Sequence, residues 1–295
     1  IRSGRRGRKH KRLAKVLLER ILINKYTIAQ ECKRLAISKS GVAKRCTKAM
    51  REIVDSPHGA ELPNGQYALI ANGAYFRFNR REWVLYIMAL KPTNSDKAYF
   101  LDPVLIKGQE KCEAWCKAID TIPPDIRKRI CAFVTDGLRG SQRLSEENSW
   151  HHQRCQFHLL SSFVRGKSKR RYRIRGGAPR DQILKVTRIL LTSEDEKALK
   201  KARAKLRTLL TQPTCAAYIR KHAIEFLERE DDFRMYLYHP ELNLPTTTNA
   251  VESTVHMVRG ATRTARTPQS LLLRATAFLR LKKFVVCNGE ENQQN

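Results

Sequence analysis

Three long apolar runs, at roughly 67–78, 83–90 and 98–106, stand close together and are separated only by the turn-like spacers "NRRE" and "KPTNSD". Side chains alternate across a strand, so such runs must bury at least one face of a sheet, which excludes a purely helical fold. Spacers this short join neighbouring strands antiparallel, as a meander. The pattern then changes. "QEKCEAWCKAI" reads as a helix, and "RICAFVTD" as a buried strand ending in an acid. A helix around 138–147, a short strand in "WHHQRC" and a helix from Gln156 follow. Three antiparallel strands followed by alternating helix and strand predict an α/β fold with a mixed five-stranded sheet flanked by helices.

The flanking regions differ in character. Residues 1–54 carry 17 Lys/Arg against 3 Glu, a net of +14 within a chain of 295 residues and net +30. Such a balance points to a polyanion, ordinarily nucleic acid. Hydrophobic content of 41% supplies a core and excludes global disorder. Residues 1–12 read as a basic arm. Leu13, Val16, Leu17 and Ile21 then share a helix face, and Ile28, Cys32 and Leu35 make a second stripe. After a break at "AIS", where Ser38 is placed to cap, Val42, Cys46, Ala49, Met50 and Ile53 make a third. Two short helices with a tight turn are a helix-turn-helix pattern over 13–55. The outward face of its second helix carries Lys39, Ser40, Lys44, Arg45, Lys48 and Arg51, as a helix lying in a DNA groove requires. Residues 56–66 are a linker. From 166 to 245 the chain reads as an all-helical, charged insertion, and closing helices follow, the last through "SLLLRATAFLRLKKFVV".

Candidate chemistry is sparse. Asp136 ends the buried strand, at the sheet edge where open α/β folds bind ligands, or else caps the next helix. Glu252 lies one turn into a helix that begins in "TTTNAVES", where an acid also suits the helix dipole. Asn72-Gly73 has two readings. As the middle of one strand, Asn72 is the lone polar group on a face with Ala68, Ile70, Ala74, Phe76 and Phe78. As a hairpin, Asn-Gly is a type I′ turn. Cys155 and His158 in "CQFH" could be half of a zinc site with Cys112 and Cys116, but without a compact ligand spacing; otherwise Cys155 packs against the sheet.

The order of "TDGLRG", "QRCQFHLL", a helical insertion and "TTNAVES" after a meander resembles the Mutator-type DDE transposases, which include a large bacterial insertion-sequence group, over residues 11–286. The resemblance implies an RNase H-like core over 67–165 and 246–286. It implies a DNA transposase that cuts transposon ends and joins them to target DNA. Three carboxylates would hold two Mg²⁺ (or Mn²⁺) ions. Asp136 matches the second acid, Glu252 the third, and Cys155 and His158 the Cys-x-x-His element, with His158 toward the scissile phosphate. The first acid is matched by Asn72, so the resemblance implies an impaired catalytic centre. It also implies double-stranded DNA as partner and a homodimer. A non-catalytic DNA-binding regulator, or a domesticated transposase, is the alternative. No membrane span or secretory leader is read, and the scattered cysteines suit a reducing compartment, so the expected location is cytoplasmic and nucleoid-associated if the source is bacterial.

Overall fold

In a computed structural model of the chain, residues 13–24, 26–57, 62–138, 140–164 and 177–287 are described. The expected basic arm, part of the linker and the start of the expected insertion lie outside them. Strands β1 (Tyr67–Phe78) and β2 (Arg81–Pro92) form one long antiparallel hairpin in which Asn72 pairs with Ile87. The turn is Asn79-Arg80, both at positive φ (48° and 62°), as a two-residue type I′ turn demands. Asn72-Gly73 is therefore mid-strand, and the spacer "NRRE" is the turn.

The expected single strand over 98–106 is two, β3 (Lys97–Phe100) and β4 (Val104–Lys107), both antiparallel to β2. Pro103 lies in the break and cannot donate to a ladder. β5 (Ile130–Thr135) runs parallel to β1, and β6 (His151–Arg154) parallel to β5. The sheet has seven strands rather than five. Its order is β6-β5-β1-β2-β3-β7, with β4 also on β2. The unforeseen strand is β7 (Phe284–Val286), antiparallel to β3. "FVV" continues the apolar pattern of the preceding helix, but that helix ends at Lys282 and Lys283 (φ 64°) turns the chain.

Helices cover both faces. α4 (Cys112–Ile119), α5 (Pro124–Arg127) and α6 (Ser141–Glu147) border the face where Tyr86, Trp115, Phe133 and Leu144 are buried. On the other face α12 (Asn249–Thr262) and α13 (Pro268–Lys282) lie over Ala68, Ile70, Leu85 and Ile87. Burying each large apolar side chain contributes about 1.5–3 kcal/mol.

The amino-terminal helices join this second core. The first, α1, covers 13–23 and ends in a π turn. α2 (Ile28–Leu35) opens with a Thr27/Gln30 capping box, and α3 (Lys39–Asp55) is capped by Ser38, which accepts from the Gly41 amide at 3.1 Å. Leu18, Val42 and Met50 pack into the cluster that contains Ala275 and Phe278 of α13. Arg280 fastens the join: it donates to the Ile53 and Ser56 carbonyls at 2.9 and 2.6 Å and forks onto Asp102.

The remaining helices are α7 (Gln156–Val164), α8 (Gly177–Thr192), α9 (Glu196–Thr211), α10 (Ala217–Glu228) and α11 (Glu230–Tyr238). They enclose a core of their own around Phe163, Leu190, Leu206 and Phe226. Gln153 of β6 ties them to the sheet, donating to the Phe233 carbonyl and accepting from the Tyr236 amide at 3.0 Å.

Candidate functional site

The parallel β1–β5 register pairs Ile70 with Val134. The pairing stops there: Asn72 lies two residues beyond Ile70 in β1, and Asp136 follows directly after the last residue of β5. Period-two alternation puts Asn72 on the face of Ile70 and Ala74, toward α12.

Backbone hydrogen bonds bring three separate segments to this edge. The Cys155 amide donates to the Thr135 carbonyl at 2.7 Å, which fixes the start of α7 beside the end of β5. The Gln156 amide donates to the Thr246 carbonyl at 2.9 Å, and the Thr248 amide donates to the Cys155 sulfur at 3.3 Å. Cys155 thereby anchors the chain just ahead of α12. Glu252 follows in the first turn of that helix, its amide bonded to the Thr248 carbonyl. Its carboxylate lies 3.7 Å from His158 Nε2, and His158 Nδ1 lies 3.2 Å from Cys155 Sγ.

A Cys–His–Glu chain results. The contact with Cys155, against the opposing effect of burial and with help from Glu252 and Asp136, pushes the His158 pKa up to about 8. Burial opposes ionisation of the fully buried Cys155 thiol, but the hydrogen bonds from His158 and the Thr248 amide outweigh it and lower its pKa. Asp136 itself follows directly after β5, whose Thr135 carbonyl accepts from the Cys155 amide.

One acid at this edge is not among the residues that the sequence nominates. Glu110, in the loop before α4, accepts from Tyr75 Oη at 2.8 Å and from Trp115 Nε1 at 3.0 Å. Its carboxylate lies over Gly73, where an added Cβ would come within 2.6 Å of Oε1. A glycine inside a strand signals such a close approach, and this was the available clue. Tyr75, Glu110, Asp136, Gly137 and Leu138 line a cleft of about 230 Å³.

The donor set does not fit a pair of Mg²⁺ or Mn²⁺ ions. Asn72 offers one neutral carbonyl oxygen where a bridging ligand needs two anionic ones, and Glu252 already faces a His held toward its cationic form. Among the described residues, no three His, Cys, Asp or Glu side chains stand together as a metal-holding group.

The six nominated residues of α3 — Lys39, Ser40, Lys44, Arg45, Lys48 and Arg51 — are all exposed, on the side away from buried Val42, Cys46, Ala49 and Met50. Behind them, buried Glu31 holds Arg20 and Arg34, each at 2.7 Å. Burial alone would raise the pKa of Glu31, but the two guanidiniums lower it. Among the described residues no helix is long and apolar enough to cross a membrane. No protein-family model and no curated protein matches this chain.

Proposed function

We propose that this chain is a DNA-binding protein built on an RNase H-like, Mutator-type transposase plan, with a strand-cleavage centre disabled at Asn72. The observation that carries this reading is the meeting of Glu252 of α12 with His158 of α7, at 3.7 Å, beside the end of β5 that Asp136 follows. The strand order supports the RNase H-like plan: three antiparallel steps from β1 through β2 to β3 and β4, then β5 and β6 parallel on the other side of β1.

The residues have separable tasks in this reading. α1–α3 form a helix-turn-helix unit, and the exposed cations of α3 hold duplex DNA through its phosphates. Arg280 fixes that unit to the core, so bound DNA has a set direction relative to the sheet edge. Cys155 holds His158 in place, and His158, cationic at neutral pH, is suited to contact a phosphate oxygen. As it stands the centre binds without cutting. A homodimer, pairing two DNA ends, belongs to the same proposal.

The test is restoration. Asn72→Asp is nearly isosteric and supplies the missing carboxylate. Expected is Mg²⁺-dependent nicking of DNA carrying the cognate ends, abolished again by Asp136→Asn. If Asn72→Asp binds those ends as well as the parent protein but never nicks them, the chain is a DNA-binding regulator. Light scattering of the protein–DNA complex reads the dimer.

A further inference from the structure

The amino-terminal helices do not close completely onto α12 and α13. Between them lies a pocket of about 530 Å³, within the range of about 300–1,000 Å³ usual for small-molecule sites. Ile21 and Ile23 of α1, Tyr26, Ile28 of α2, and Met257 and Ala261 of α12 give it apolar walls. The π turn that ends α1, Glu19–Ile23, supplies part of that wall, and π turns within helices recur at functional sites. Gly260 of α12 keeps the pocket open, since a Cβ there would meet nothing within 4 Å.

A second, independent observation lies in the same wall. The charged groups that line the pocket are both cationic, Arg263 and Arg274, and no acid lines it. The Nε of Arg274 is buried and has no hydrogen-bond partner among the described residues. The buried acid of α2 does not answer it: Glu31 is taken by Arg20 and Arg34, and Arg20 in turn stacks on Tyr26 at 3.9 Å. Unpaired cations are ordinary on the surface of a chain of net charge +30, but one set into an apolar wall is costly, which implies a missing acceptor. The apolar groove on the helical insertion lacks this imbalance. Glu228 lines it together with Arg207 and Arg220, and Arg220 donates to the Gln212 and Cys215 carbonyls.

We infer that this pocket binds a small amphipathic anion, an apolar body that carries one carboxylate, sulfonate or phosphate head. The head lies on Arg274, whose planar guanidinium suits such groups, and the body lies against Ile21, Tyr26 and Met257. Arg263, exposed, adds positive charge at the pocket. A nucleic-acid backbone would answer the charge but not the apolar walls, and an uncharged apolar molecule the walls but not the charge. Bound there, the ligand touches α1, α2 and α12 at once, and so joins the amino-terminal helices to the helix that carries Glu252. The inference does not depend on whether the chain binds or cuts DNA.

The test uses two fluorescent probes on the full chain without DNA: anilinonaphthalene sulfonate, and phenylnaphthylamine, the same rings without the sulfonate. Both brighten on entering an apolar site. Expected is one sulfonate probe per chain, bound about ten-fold or more tightly than its neutral parent, as a charge-assisted contact gives. Arg274→Met should remove that advantage and leave the neutral probe unchanged. Arg207→Met, which takes a cation from the groove on the insertion, should leave both probes unchanged. A sulfonate probe bound no more tightly than the neutral one overturns the inference, as does a loss in Arg207→Met equal to that in Arg274→Met. Should Arg274→Met not fold, Gly260→Phe decides. It adds bulk at an exposed helical position where nothing is met, so the fold is kept while the pocket is filled. Both probes should then bind about ten-fold or more weakly, and undiminished binding places them elsewhere and overturns the site.

Discussion

Adjacent residues of β1 open onto two differently built environments. On the α12 side, at Asn72, the nearby carboxylate of Glu252 faces a His whose charge depends on pH. On the α4 side, at Gly73, Glu110 is clamped by an indole and a phenol that keep their protons through the neutral range. The phenol of Tyr75 is pushed up to about 12, first by burial and then by Glu110 itself. One carboxylate is balanced by a charge and the other by geometry. Side-chain alternation along a single strand suffices to keep them apart, because consecutive residues cannot face the same way.

The largest effect should come from the fixed side. Trp115 is fully buried and supplies one of the two donors to Glu110. Trp115→Ala is expected to cost about 3–5 kcal/mol in urea unfolding, the range for large aromatic truncations. Trp115→Phe keeps most of the ring but loses the N–H, at about 1–2 kcal/mol. A Trp115→Phe variant as stable as the parent would show that Glu110 is not held by the indole N–H.

Gly73→Ala comes next. Its Cβ would meet Glu110 Oε1 at 2.6 Å, so the carboxylate must move, at about 1–3 kcal/mol. In a Glu110→Ala background the same change should cost much less, because the clash is gone. Additive losses would break the link between the two residues.

The α12 side should answer to pH instead. The folded pKa of His158 is about 8, above its ordinary value of about 6.5. A raised pKa means that the folded state holds the proton more tightly, so the stabilisation is complete below about pH 6.5 and is lost as pH rises through about 8. With the side chain about one-third exposed, the discounted size is about 1 kcal/mol. Urea melts at about pH 6 and about pH 9 measure it. Cys155→Ala should remove most of the difference, and Glu110→Gln should leave it intact.

The smallest effect belongs to α3. Each phosphate contact contributes about −0.9 to the log–log dependence of DNA affinity on salt. Lys44→Ala or Arg51→Ala should therefore flatten that slope by about one unit each, read by fluorescence anisotropy on duplex DNA. An unchanged slope in both would remove α3 from the DNA interface.

What the sequence disclosed follows from how local each signal is. The strand over 67–78, the Ser38 cap and the outward cations of α3 depend on periodicity and on neighbours a few residues away, and each is where the pattern places it. Asp136 was legible because an acid ending an apolar strand is a local contrast. Glu110 was not: "KGQEKCEAW" has no period, and its importance arises only when β1 passes beneath it. β7 was hidden because its "FVV" repeats the apolar character of α13, and its pairing with β3 joins residues far apart in the chain. The docking of α1–α3 onto α13 was invisible for the same reason, since a helical stripe states that a face is buried but not against what.

β5 pairs with β1 only from Tyr67 to Ile70, while β1 itself runs to Phe78. The shortfall that opens the crevice also leaves two-thirds of a long strand without a ladder neighbour on that side among the described residues. Such a margin is a template on which another chain can polymerise. Here it is guarded. Arg259 of α12 donates to the Tyr75 carbonyl at 3.3 Å and lays its guanidinium over Phe76, and Arg77 projects a charge into solvent. The guard is cationic on both counts, so it disfavours strand-to-strand pairing with a second copy of this basic chain at that margin.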